Sequence, residues 1–166
     1  MSKLISLATV ALALGTLAAC GGGSSSPTDP GTPALMSLTG AAVVVDGQTV
    51  PSGSTYHQDA HGDGHHTRFE ARLMVGGAPA LGQIAQVRYE MPMGMMRGPG
   101  AFQLYDDGTH GDLQAGDGVY CYEDDDGDFG FHHMDAMHGN YDYDFYGVHH
   151  DGSESNHMMY TVDVEN

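Results

Sequence analysis

The sequence predicts an all-β domain, a sandwich of antiparallel sheets. Three observations predict it. Apolar residues come in short runs broken by Gly, Pro, Asp and Asn clusters; several runs alternate apolar and polar at period two; and none keeps helical spacing over three turns.

The first element precedes the domain. Lys3 is followed by an apolar run from Leu4 to Leu17, interrupted by Ser6, Thr9, Gly15 and Thr16. The run is short for a membrane span and has the flanks of an export signal. Its end, Leu17-Ala18-Ala19-Cys20, resembles the lipobox of bacterial lipoproteins. The resemblance implies a removable signal peptide over 1–19, a lipid on the sulfur of Cys20 and attachment to the bilayer. Gly21 stands where that family carries Asp for inner-membrane retention, which implies an outer-membrane address in the cell envelope. Residues 20–36 read as the lipidated Cys and a flexible tether, since 21–33 are Gly, Ser, Thr and Pro with one Asp.

The domain is expected over 37–166, with about seven strands at 41–45, 67–75, 84–91, 101–105, 118–123, 140–148 and 158–164. In the second, Phe69, Ala71, Leu73 and Val75 share one face, against Arg68, Glu70 and Arg72 on the other. Aromatic and acidic residues alternate from Tyr141 through Phe145, so the aromatic face is expected to point inward. Seven short strands in a chain of this length fit an immunoglobulin-like sandwich, without the Trp and inter-sheet disulfide of antibody domains.

The formal charge is −17. Without the signal, Arg68, Arg72, Arg88 and Arg97 face all 22 acidic residues. Such a field repels nucleic acid and attracts cations, so no nucleic-acid partner is expected and metal ions are natural ones. Only Cys121 remains beside Cys20, which leaves no internal disulfide; burial as a small apolar residue is the preferred reading, a metal ligand the alternative.

The stretch Asp106-Asp107-Gly108-Thr109-His110-Gly111-Asp112-Leu113-Gln114-Ala115-Gly116-Asp117-Gly118-Val119-Tyr120 resembles the DDGxxGDxxAGDGxY signature of bacterial extracellular Ig-like domains, choice-of-anchor modules among them. Gly139-Asn140-Tyr141 opening a strand and a turn at Asp151-Gly152-Ser153 agree with it. The resemblance implies a non-enzymatic surface or adhesion module. Asp106, Asp107, Asp112 and Asp117 could hold calcium, although the spacing is not that of an EF-hand; the alternative is that they only satisfy turn backbone. Asp124 through Asp128 reads as a solvated acidic loop.

All 11 histidines lie beyond the signal. Ten of them group as His57, His61, His65 and His66; His132, His133 and His138; and His149, His150 and His157. Gly62 and Gly64 argue for a loop around a metal rather than a helix, and imidazole suits zinc, copper and nickel alike. Met91, Met93, Met95 and Met96 form a thioether-rich run, and Met134, Met137, Met158 and Met159 neighbour histidines. Thioethers hold copper(I) and imidazoles copper(II), so copper is the favoured cofactor, with calcium or zinc as alternatives; core filling is the competing role for Met. The segment from Leu73 to Met96 is similar to YtkA-like domains, small export modules often found beside copper-handling genes. That similarity implies a role for Met91, Met93, Met95 and Met96 and none for the His loops.

No nucleophile elbow, His-Glu-x-x-His pair or phosphate loop occurs, so no enzyme is expected. The expected function is a membrane-anchored envelope lipoprotein that binds or buffers metal ions. A calcium-stabilised surface module is the alternative.

Overall fold

The computed structural model describes residues 35–57, 66–92, 98–125, 127–131 and 138–165. Its described residues form ten strands and no helix: β1 Met36–Val45, β2 Gln48–Val50, β3 Ser54–His57, β4 Thr67–Val75, β5 Ala78–Pro79, β6 Ile84–Glu90, β7 Gly100–Leu104, β8 Val119–Asp124, β9 Gly139–Val148 and β10 Met158–Glu165. One sheet runs β2-β1-β4-β5, with β8 also paired to β4; the other runs β3-β10-β9-β6-β7.

All seven expected strands form. β1 starts at Met36, inside the expected tether, because Met36 is itself a core residue. Three shorter strands are additional. Asp46 (φ 49°) and Gly47 (φ 77°) both adopt positive φ, the backbone of a two-residue hairpin turn, and this folds β2 back onto β1. β3 pairs parallel with β10, Tyr56 opposite Val164. That pairing is the departure from a purely antiparallel arrangement, and it joins segments too distant in the chain to leave a local signal.

The core lies between the sheets. Phe69, Ala71 and Leu73 of β4 enter it from one side and Tyr141, Tyr143 and Phe145 of β9 from the other, as the alternation predicts. Each such side chain contributes about 1.5–3 kcal/mol by leaving water. The sheets approach closely at Gly147, where a Cβ would stand 2.7 Å from Met36 Cε and 2.9 Å from a Leu73 methyl, which is why glycine replaces the next inward aromatic.

One end of the core is closed by 127–131. Asp124 accepts hydrogen bonds from the N–H groups of Asp128 (2.9 Å), Phe129 (2.9 Å) and Gly130 (2.6 Å), drawing the chain across. Phe129 then stacks on Phe102 at 4.4 Å, and the fully buried Phe131 meets Tyr56 and Tyr141 edge-on. Asp124 is buried, so the acidic run begins with a structural carboxylate rather than a solvated one.

Candidate metal centre

The strand ends sort the chemistry-bearing residues between two ends of the sandwich. At the end closed by Phe129 and Phe131 lie the C-terminus of β3 and the N-terminus of β4, the C-terminus of β6 and the N-terminus of β7, and the C-terminus of β8 and the N-terminus of β9. Contacts of Phe69 with Tyr143 and with Phe102 fix this correspondence between sheets. The three connections departing here are those that carry most of the His and Met residues in the sequence. His57 ends β3, His66 immediately precedes β4, Met91 follows β6 and His138 precedes β9. Cys20, His61, His65, Met93, Met95, Met96, His132 and His133 lie outside the described residues.

His66 is held from two directions. Its N–H donates to Asp46 Oδ1 (3.1 Å) and its carbonyl accepts from the Asp46 N–H (3.2 Å), so the β1–β2 turn fixes its backbone. Its ring Nδ1 lies 2.8 Å from Asp125 Oδ1. The cause is register: Thr67 pairs with Asp124 and Arg68 with Glu123, which brings His66 and Asp125 together one step beyond. A donor atom from each of His66, Glu123 and Asp125 lies within 4.8 Å of the others. In the sequence Glu123 does not stand out and Asp125 reads only as part of a solvated acidic run, because only the β4–β8 ladder puts them beside a histidine 57 and 59 residues away. His57 and Asp46 line a cleft of about 430 Å³ at this same end. Met91 is half-buried and packs against the core, the filling role weighed for methionine.

The Asp-Gly loop lies at the opposite end, between β7 and β8, and folds over the outer face of the first sheet. Asp106 accepts from the N–H groups of Gly116 (2.7 Å), Asp117 (3.2 Å) and Gly118 (3.1 Å). Asp112, which is buried, accepts from Gly108 (2.7 Å) and Gln114 (3.0 Å), and Asp117 from Val119 (2.8 Å). Asp107 accepts from both the N–H (2.9 Å) and the hydroxyl of Thr109, whose donation holds its carboxyl below the usual range. Each acid therefore fastens a turn, and two glycines have no room for a side chain. A Cβ on Gly111 would sit 2.9 Å from Arg68 Cδ and from Glu123 Cβ; one on Gly118 would sit 2.8 Å from Pro79 Cβ. Carboxylate oxygens of Asp106, Asp112 and Asp117 nonetheless lie within 4.8 Å of one another.

The loop covers Cys121. Burial pushes its thiol up to about 12, a poor state for a thiolate ligand, and the small-apolar reading of this cysteine fits its 4% exposure.

The third histidine group belongs to the same end as the Asp-Gly loop, in the β9–β10 connection. His157 Nδ1 is 2.9 Å from Asp144 and Nε2 3.2 Å from Glu154, and the ring stacks on Tyr146 at 4.9 Å, so these carboxylates already occupy both ring nitrogens. Tyr146 also carries the Arg88 guanidinium 4.2 Å from its ring centre. Met159 beside it is exposed.

No protein-family model matches the chain, and no curated protein matches it.

Proposed function

We propose that the chain is a lipid-anchored cell-envelope protein, without enzymatic activity, that binds or buffers metal ions, copper above others, through the His and Met residues of connections that depart from one end of a β-sandwich. One observation carries the reading: the three connections rich in His and Met depart from a common end of the fold, where His57, His66, Met91 and His138 are found. The lipobox-like Leu17-Ala18-Ala19-Cys20 supplies the anchor, and the charge of −17 favours cations over anionic partners.

The test is a competition titration of the chain against a copper(I) chelator at pH 7 and 5, beside a variant with Met91, Met93, Met95 and Met96 all changed to Leu. Thioethers carry no proton in water, so copper(I) affinity should hold across this range and fall in the variant. Histidine-bound copper(II) should weaken over the same interval, because free imidazole titrates near 6.5. Equal copper(I) affinity in the two proteins would reduce the Met run to packing. Cys20→Ala tests the anchor separately: unchanged membrane attachment would sink it.

A second reading, a calcium-stabilised surface module, draws on the convergence of Asp106, Asp112 and Asp117. Calcium added to chelator-treated protein should then raise Tm by mass action. No shift at millimolar calcium would leave these acids as turn fasteners, a role their backbone hydrogen bonds already fill.

A further inference from the structure

The outer face of the first sheet carries a donor set of its own. On β8, Tyr120 and Tyr122 turn toward the core, so Cys121 and Glu123 face outward, with Asp125 continuing the same face just past the strand. On β4 the outward residues are Arg68, Glu70 and Arg72, and His66 lies one step before them. An i, i+2 carboxylate pair on one strand and an imidazole across the ladder place three donors on one side of a sheet.

Among the described residues, charge pairing on this face leaves the set to itself. Arg68 stands directly opposite Glu123 in the register, yet its guanidinium turns along its own strand to Glu70, 2.6 Å away. The Glu123 side is also fixed: its N–H donates to the His110 carbonyl (2.8 Å) along the edge of β8 away from β4, and Gly111 comes close enough to its Cβ to exclude any side chain there. His66 is fixed by Asp46 on the other flank. The donors are thus set on backbone anchored at both sides, while the His66 and Asp125 side chains are 53% and 67% exposed and open to an incoming ion.

We propose that His66, Glu123 and Asp125 form a site for a borderline divalent cation, zinc or copper(II). The proposal rests on the metal-binding reading above and assigns it a second site, chemically distinct from the methionine run. One imidazole nitrogen and two carboxylate oxygens suit these ions, whereas calcium takes oxygen ligands alone. Donors on a tetrahedral zinc are separated by roughly 3.4 Å; the His66–Asp125 pair, now 2.8 Å apart, would open slightly and Glu123, within 4.8 Å of both, would draw in by side-chain rotation. Three protein ligands leave a coordination position for water, the arrangement of an exchangeable ion. Binding would clamp the start of β4 to the end of β8.

The experiment is calorimetric titration of the untagged full chain with zinc, and pulsed EPR of the copper(II)-loaded chain, for wild type, His66→Gln, Glu123→Gln, Asp125→Asn and His61→Gln/His65→Gln. The first three variants should each weaken zinc by at least about tenfold. The imidazole nitrogen modulation of copper(II) should be lost in His66→Gln. These near-isosteric changes lie at the surface, and an unchanged thermal transition shows that the fold is kept. Zinc affinity untouched in Glu123→Gln and Asp125→Asn but lost in His61→Gln/His65→Gln would overturn this site. Absence of zinc and copper(II) binding by wild type would overturn it too. Neither result touches the methionine reading, which the copper(I) competition reports independently.

Discussion

The side-chain amide of Asn156 pairs with both backbone groups of Leu38: the Leu38 N–H donates to Asn156 Oδ1 (2.8 Å), and Asn156 Nδ2 donates to the Leu38 carbonyl (3.0 Å). Leu38 lies in β1 where the ladder with β4 shifts register before Gly40, and Asn156 belongs to the β9–β10 connection of the other sheet. One amide therefore imitates a neighbouring strand and joins the two sheets. Asn156→Ala strands both groups of a buried residue and should cost about 1–3 kcal/mol. Asn156→Asp keeps the acceptor but sets an oxygen against the Leu38 carbonyl, and should cost at least as much. Urea unfolding of the three proteins measures it; a loss below about 0.5 kcal/mol in Asn156→Ala would mean that water replaces the amide at no cost.

Gly116 and Gly118 separate backbone strain from crowding within one loop. Both have positive φ, 76° and 80°, but a Cβ at Gly116 meets open space and one at Gly118 meets Pro79 and the Leu73 carbonyl, at 2.8 and 3.2 Å. Gly116→Ala should cost about 1 kcal/mol, the left-handed penalty alone. Gly118→Ala should cost about 1–3 kcal/mol more, since β5 must move. Equal losses in thermal unfolding would refute the close approach.

Asp107 offers a titration test. Donation from the Thr109 hydroxyl, and then from the Thr109 N–H, lowers its pKa below the ordinary 3.8. A group depressed in the folded state stabilises above its unfolded pKa, and that contribution is lost as pH falls through the folded value. The Asp107–Thr109 hydrogen bonds should therefore be lost only as pH falls below the ordinary carboxylate value of 3.8. In Thr109→Val the carboxyl should titrate nearer the ordinary value. NMR of the Asp107 side-chain carboxyl reads both; identical midpoints in the two proteins would remove the hydroxyl as the cause.

Cys121 should be inert while the protein is folded. Its thiol, raised to about 12 by burial, is almost wholly protonated at neutral pH, and the Asp-Gly loop blocks access. Alkylation followed by peptide mapping should find Cys121 unmodified in the native chain and fully modified in urea. Rapid native alkylation would show that the loop opens.

The sequence by itself determined the layer structure. Period-two alternation in 67–75 and 140–148 fixes which side chains leave water, and that requirement is local, so all seven long strands are legible. The Asp-Gly loop is legible for the same reason: each Asp fastens N–H groups at most 12 residues away, and the positive-φ glycines sit at fixed offsets from them. Tertiary structure decided what depends on partners distant in the chain. The parallel pairing of β3 with β10 and the Leu38–Asn156 bridge, 118 residues apart, leave no trace in local pattern. Nor does the meeting of His66 with Glu123 and Asp125. An acidic run reads the same whether it is solvated, as expected for 124–128, or divided between the buried Asp124 and an Asp125 aimed at a histidine. Register distinguishes these cases, and register is set when the two sheets bury their inner faces together, a constraint that acts on the whole chain at once.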